Sequence, residues 1–162
     1  MPLSNQQLQT LKTDIAADPT LSSKPLTSAG ASDIAAAYNV AASPAFTVWK
    51  TLVTINEVGK KLNGAELAAT SSLNQTRLQT IALYLAGGVN PSLADNRAFF
   101  DDIFSGAGGT ITRPALLALW KRLATRGEKL YATGTGSDAA PATLVVEGSI
   151  SSEQVQLARE LP

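Results

Sequence analysis

Apolar residues recur at helical spacing along most of the chain. Leu8, Leu11 and Ile15 stand three and four apart, which predicts a first helix with one buried stripe. Ser4 and Gln7 make a capping-box pattern in front of it, and Leu3 with Leu8 occupies the two ends of a hydrophobic staple. Asp18-Pro19 ends the helix, because the residue before proline avoids the α region. Two prolines with Ser and Thr predict a loop over 19–28, and an Ala-rich second helix follows over 30–39.

The pattern then changes period. Thr47, Val48, Thr51, Val53, Thr54 and Ile55 are β-branched, which favours a strand or extended arm over 46–54. Ser43-Pro44 offers the competing reading, a helix start with proline in the first turn. Thr54 with Glu57 is a second capping box and opens a short helix, which Asn63-Gly64 interrupts. Residues 65–86 are helical again, with a break near Ser71-Ser72 and a face of Leu73, Leu78, Ile81 and Leu85. Gly87-Gly88 supplies a left-handed helix end.

Ser92 with Asp95 starts a helix to about Phe104, burying Phe99, Phe100, Ile103 and Phe104. The three glycines of 105–110 predict a flexible turn. Thr112, Arg113 and Pro114 open the strongest helical pattern, read through to Tyr131 with Leu116, Leu117, Trp120, Leu123 and Leu130 as its stripe. A Gly, Ser, Ala and Pro loop covers 132–142, Thr143 to Glu147 reads as a short strand, and Ser151 or Ser152 caps a last helix to Glu160. The expected fold is therefore mainly α: a small helical bundle with one or two short β-strands and flexible arms. It is organised as a single helical domain over 1–162, with a loop or arm at 132–150 and a C-terminal helix at 151–160.

Composition narrows the chemistry more than the fold. The 162 residues include no histidine and no cysteine. That removes imidazole bases, thiolate nucleophiles, disulfides and His or Cys metal sites. Any metal would need an all-oxygen site, and no cofactor is expected. About a sixth of the chain is alanine, which builds helices but buries little area per residue. Charged residues make up only 16%, below the usual quarter. Such a surface is covered either by other chains or by its many Ser, Thr, Asn and Gln residues. Thirteen basic and thirteen acidic side chains balance to zero, so no overall field draws the protein to nucleic acid or to an anionic membrane. No apolar run approaches the ~18 residues of a membrane span. The first residues lack the basic and apolar regions of a signal peptide, so the expected place of synthesis is the cytoplasm.

Few residue groups suggest chemistry. Gly134-Thr135-Gly136-Ser137 lacks the third glycine and the Gly-Lys-Ser/Thr ending of phosphate loops, and reads as a hinge. Asp101 and Asp102 diverge by about 100° on a helix, so with Asp95 they form a solvated acidic face rather than a catalytic pair. Arg113, Lys121, Arg122, Arg126 and Lys129 are the one local charge surplus. On a continuous helix Arg122, Arg126 and Lys129 share a face. That face is either a contact for DNA phosphates or an acidic partner, or an ordinary polar side opposite the Leu116, Trp120 and Leu123 stripe. Phe46, Trp49 and Trp120 read as core anchors. Tyr38, Tyr84 and Tyr131 are expected to bury their rings and keep a wet hydroxyl. Gly-x-Ser-x-Gly and Ser-x-x-Lys settings are absent, and an enzyme is not expected.

Specific strings carry further than periodicity. The segment Leu8-Gln9-Thr10-Leu11-Lys12-Thr13-Asp14-Ile15-Ala16-Ala17-Asp18-Pro19 resembles the start of a family of tailed-bacteriophage virion proteins. Ile34-Ala35-Ala36-Ala37-Tyr38-Asn39 and Val48-Trp49-Lys50-Thr51 resemble it too. The most extensive likeness is Lys121-Arg122-Leu123-Ala124-Thr125-Arg126-Gly127-Glu128-Lys129-Leu130-Tyr131-Ala132-Thr133-Gly134-Thr135-Gly136, continuing through Pro141-Ala142-Thr143-Leu144 and Glu147-Gly148. Residues 57–90 are much less distinctive. The resemblance implies a virion structural protein of the head-tail connector or neck type, made in the host cytoplasm and located in the virion. It implies a helical adaptor that assembles with copies of itself into a ring, by that likeness a dodecamer, on the portal, beside tail or neck proteins. Thr143, Leu144, Val145 and Val146 would then add to a neighbouring subunit's sheet, and the basic residues of 113–129 could meet DNA passing through the lumen. The alternatives are a minor tail or tail-completion protein and a small DNA-binding accessory protein.

Overall fold

A computed structural model describes residues 2–84 and 87–162, without the side chains of 81–84 and 107. The protein is mainly helical, with 55% of its residues in helix and one two-stranded antiparallel sheet. It divides into two compact units, Met1–Val48 with Leu123–Pro162 and Trp49–Arg122, called here the first and second unit.

Helix α1 spans Asn5–Ala17, and the Ser4–Gln7 capping box forms as its sequence predicts. Leu8, Leu11 and Ile15 are its buried stripe. The chain does not loop after Asp18. Asp18 Oδ1 accepts from the N–H groups of Thr20 and Leu21, and Pro19 occupies the first turn of a short helix, α2 (Pro19–Ser22). A cap and a proline, read from sequence only as an ending, thus also make a start. Helix α3 (Ser28–Tyr38) follows, capped by Thr27. The strand expected over 46–54 shrinks to β1 (Thr47–Trp49), because Thr54 and Glu57 divert the chain into α4 (Ile55–Gly59) through the expected capping box.

Asn63 then caps α5 (Gly64–Ala69), and α6 (Ser72–Tyr84) begins after the expected break. Leu73 lies on the solvent side at 67% exposure, whereas Leu78 packs inward. The placement of Ile81 and Leu85 on that face falls outside the described side chains, as does the helix end at 85–86. Gly88 does adopt the left-handed region, with φ +106°. Helix α7 spans Ala94–Ile103. Ser92 does not cap it, since its hydroxyl donates to Asn90 Oδ1 at 2.6 Å. The glycine-rich turn is a 3-10 helix over Gly106–Gly109.

The largest departure follows. The helix read from Thr112 to Tyr131 is three elements: α8 (Thr112–Leu119), β2 (Lys121–Leu123) and α9 (Arg126–Tyr131). Two bonds to residues far along the chain account for the break. In the second unit the Lys50 N–H donates to the Trp120 carbonyl at 2.8 Å, and in the first the Ala124 N–H donates to the Phe46 carbonyl at 2.9 Å. The Thr125–Glu128 capping box restarts the helix. Leu123, placed in the buried stripe by the helical reading, is 59% exposed.

Residues 143–147 do not form the expected strand. Thr143 exchanges both backbone bonds with Thr133, at 2.8 and 2.9 Å, and Ala142 bridges to Val48 in parallel, after which the chain bends. This segment folds back onto its own unit, with Ala142 and Val146 buried. Helix α10 (Ser152–Glu160) closes the chain, capped by Ser151 with Gln154. In the first unit Leu11, Ile34, Tyr38, Ile150 and Val155 lie in one cluster, and Val48, Ala124 and Ala142 in a smaller one. In the second unit Val53, Val58, Val89, Phe100, Phe104, Leu116 and Trp120 form the core. There Phe100 and Trp120 meet edge to face, with ring centroids 5.5 Å apart.

Candidate functional site

The most polar cluster of the first unit gathers on Arg126, the first residue of α9. Its two terminal nitrogens reach different carboxylates, Nη2 to Asp14 Oδ2 at 3.1 Å and Nη1 to Asp18 Oδ2 at 2.9 Å. Its guanidinium carbon lies 4.8 Å from the centre of the Tyr38 ring. The Tyr38 hydroxyl donates to the same Asp14 oxygen. One planar cation therefore ties the end of α1 to α9 while resting on a ring from α3.

The electrostatics keep this cluster charged. The hydrogen bond from Arg126, helped by the Leu21 and Thr20 N–H groups, holds the Asp18 carboxyl below its usual range. Burial would lower the Arg126 pKa, but its bonds to Asp18 and Asp14 outweigh that and raise it. Burial, then the bond to Asp14, pushes the Tyr38 phenol up. Burial, then the Asp14 charge, raises Tyr131 to about 12. Each of these shifts moves a pKa further from pH 7, fixing Asp18 and Arg126 as charged and the two phenols as neutral, the reverse of what a general acid or base needs. The cluster is suited to holding elements together.

A groove of about 750 Å³ opens beside it, with Asp14, Asp18, Arg126, Lys129 and residues 40–43 in its walls. Lys129 lies 5.7 Å from the Phe46 ring centre and is within 4 Å of no carboxylate among the described residues.

The second unit has one comparable feature. Glu66 is only 8% exposed. It accepts from the Ile111 N–H at 2.7 Å, the Thr112 N–H at 2.8 Å and the Thr110 hydroxyl at 3.1 Å. Burial raises its pKa, but the bonds from Thr112, Ile111 and Thr110 dominate and bring it down to about 2. These donors include the free N–H groups where α8 begins, so Glu66 acts as a cap supplied from α5.

The five cations expected on one helix are distributed over three elements. Arg113 begins α8 and pairs with Asp101 at 2.7 Å. Lys121 and Arg122 are half-buried in β2. Arg126 and Lys129 remain together on α9, so the shared face of Arg122, Arg126 and Lys129 does not exist. Of the arm residues, Thr143 pairs with Thr133, Leu144 packs on the small cluster, Val146 is buried and Val145 is 60% exposed. Asp102 and Asp95 are exposed. Sequence reading missed Asp14, Asp18 and Tyr38 as partners of Arg126. It also missed the Thr125-x-x-Glu128 box, a signal present in the string itself. Among the described residues, no group of three acidic side chains could hold a metal ion and no helix is long and apolar enough to cross a membrane. Comparison with protein-family models, curated proteins and solved structures finds no match.

Proposed function

We propose that this chain is a structural subunit of a tailed-phage virion, a head-to-tail connector that forms a ring on the portal. One observation carries the reading: the string 121–136 resembles that family over sixteen consecutive residues, from Lys121 to Gly136. In the structure the same string supplies Arg126 to the ion-pair cluster, Glu128 to a cap and Tyr131 to the Gln7 carbonyl at 3.0 Å. A string whose residues hold a fold together fits kinship through architecture, and the role it suggests is mechanical rather than catalytic. The low share of charged residues agrees with a surface partly covered by other subunits. The alternative of a DNA-binding accessory protein has less support, because its basic face depended on a helix that is broken at Trp120. Mass spectrometry of purified particles made by the encoding genome tests the proposal. Peptides of this chain at a ring's stoichiometry are expected, with density at the neck in imaged particles. Particles that lack the chain, or carry it only at the tail tip, overturn it.

A further inference from the structure

We infer that copies of this chain meet through unlike faces, the acidic outer side of α10 on one copy against the basic segment around α4 on the next. The inference rests on the ring reading for the expectation that copies meet, and adds which faces they use. The zero net charge of the chain conceals an opposition. The second unit carries eight basic and five acidic side chains, a net +3, and the first carries five basic and eight acidic, a net −3. Each unit is therefore complementary to the other unit of a second copy. A contact between unlike faces is heterologous: it leaves one face of each kind free, and it propagates into a ring where the rotation closes.

Bonds inside each unit leave particular charges over. In the first unit Arg126 holds Asp14 and Asp18, and Lys24 holds Asp33. Glu153 and Glu160 are exposed on α10, with no cation within 4 Å among the described residues. They stand seven apart, on the face that carries Leu157 and opposite the buried Val155 and Ala158. Arg159, the only cation of α10, is turned to the Lys24 and Pro25 carbonyls at 2.7 and 3.0 Å. In the second unit Lys60 and Lys61 are exposed just beyond α4, and Lys50 is half-buried. None of the three has a carboxylate within 4 Å among the described residues. The Glu57 carboxyl, lowered first by its bonds from Thr54, is lowered further by the charges of Lys50 and Lys60, so these groups share one neighbourhood. Glu57 is occupied as the cap of α4, at 2.9 and 2.7 Å from the Thr54 N–H and hydroxyl. Leu52, two residues from Lys50, is 60% exposed. Surplus charge and an exposed leucine thus recur with opposite sign in the two units.

The test follows backbone amide signals of the isotope-labelled full chain by NMR as its concentration rises to about 1 mM. Amides of 50–61 and of 152–160 should shift together at about 20 mM salt and return at about 300 mM, where exposed charges are screened. Glu153→Gln with Glu160→Gln should weaken association at least about tenfold, and so should Lys60→Gln with Lys61→Gln. Mixing the two double variants should restore a single contact, with shifts confined to 50–61 of the first and 152–160 of the second. A parent spectrum indifferent to concentration, shifts centred elsewhere, or a silent mixture of folded variants overturns the inference. So do shifts at 50–61 that appear only when duplex DNA is added, which would assign the basic segment to nucleic acid. The parent's own salt response decides the matter even if a variant misfolds. A silent spectrum from a chain that purified particles contain at a ring's stoichiometry rejects the faces and keeps the ring, whereas particles without the chain reject the ring itself.

Discussion

The two units are closed by different means. The first is tied by side chains that reach backbone atoms far along the chain. Asn39 exchanges two bonds with Ile150, at 2.9 and 2.8 Å. Tyr131 reaches Gln7, Lys12 reaches Leu161, and Arg159 reaches Lys24. The second relies on an apolar core around Phe100 and Trp120, with Glu66 as its one buried carboxylate among the described residues. Apolar contacts are non-directional, and residues of similar volume exchange at modest cost. A directed bond to a particular carbonyl is less forgiving.

Substitutions can break this contrast or sharpen it. The largest effect is expected in the second unit, where Trp120→Ala removes a side chain that is 1% exposed and should cost about 3–5 kcal/mol in urea unfolding. Retained stability would mean that the core does not depend on its largest member. In the first unit Asn39→Ala leaves the N–H and C=O of buried Ile150 without their partner and should cost about 1–3 kcal/mol. A loss well below that range would show that polar ties do not close this unit.

Glu66 gives a pH test. Its folded pKa of about 2 lies below the ordinary 4.5, so its contribution is complete above 4.5 and is lost as pH falls towards 2. The stability gap between the parent and Glu66→Gln should therefore narrow across that interval when urea midpoints are compared. A gap constant with pH would remove the carboxylate from the account. The smallest effect belongs to Leu73→Ser at an exposed site, which should change the melting free energy by no more than about 0.5 kcal/mol. A larger loss would place Leu73 in a contact that the fold does not show.

Local signals were legible in the sequence and distant ones were not. The capping boxes at Ser4 and Thr54 each depend on residues three apart and form as read, and Ser151, one of the two caps offered for the last helix, takes that place. The break after Trp120 depends on bonds to Phe46 and Lys50, which lie 78 and 70 positions from their partners, and the apolar spacing of 116–130 hides it. The Thr125–Glu128 box is a local signal that went unread because that spacing continues through it. Arg126 and Lys129 stood out by charge alone. Their setting did not, since an ion pair between residues 112 apart leaves no periodic trace.

Both tryptophans of the chain, Trp49 and Trp120, belong to the second unit. Trp120 is sealed among apolar side chains with no partner for its indole N–H, while Trp49 is half-buried with the Arg97 guanidinium 4.3 Å from its ring centre. Indole fluorescence is therefore a private signal of residues 49–122. Far-UV ellipticity, by contrast, sums the helices of both units. Following one denaturation by both signals reveals whether the protein melts in one event or in two, with no added label.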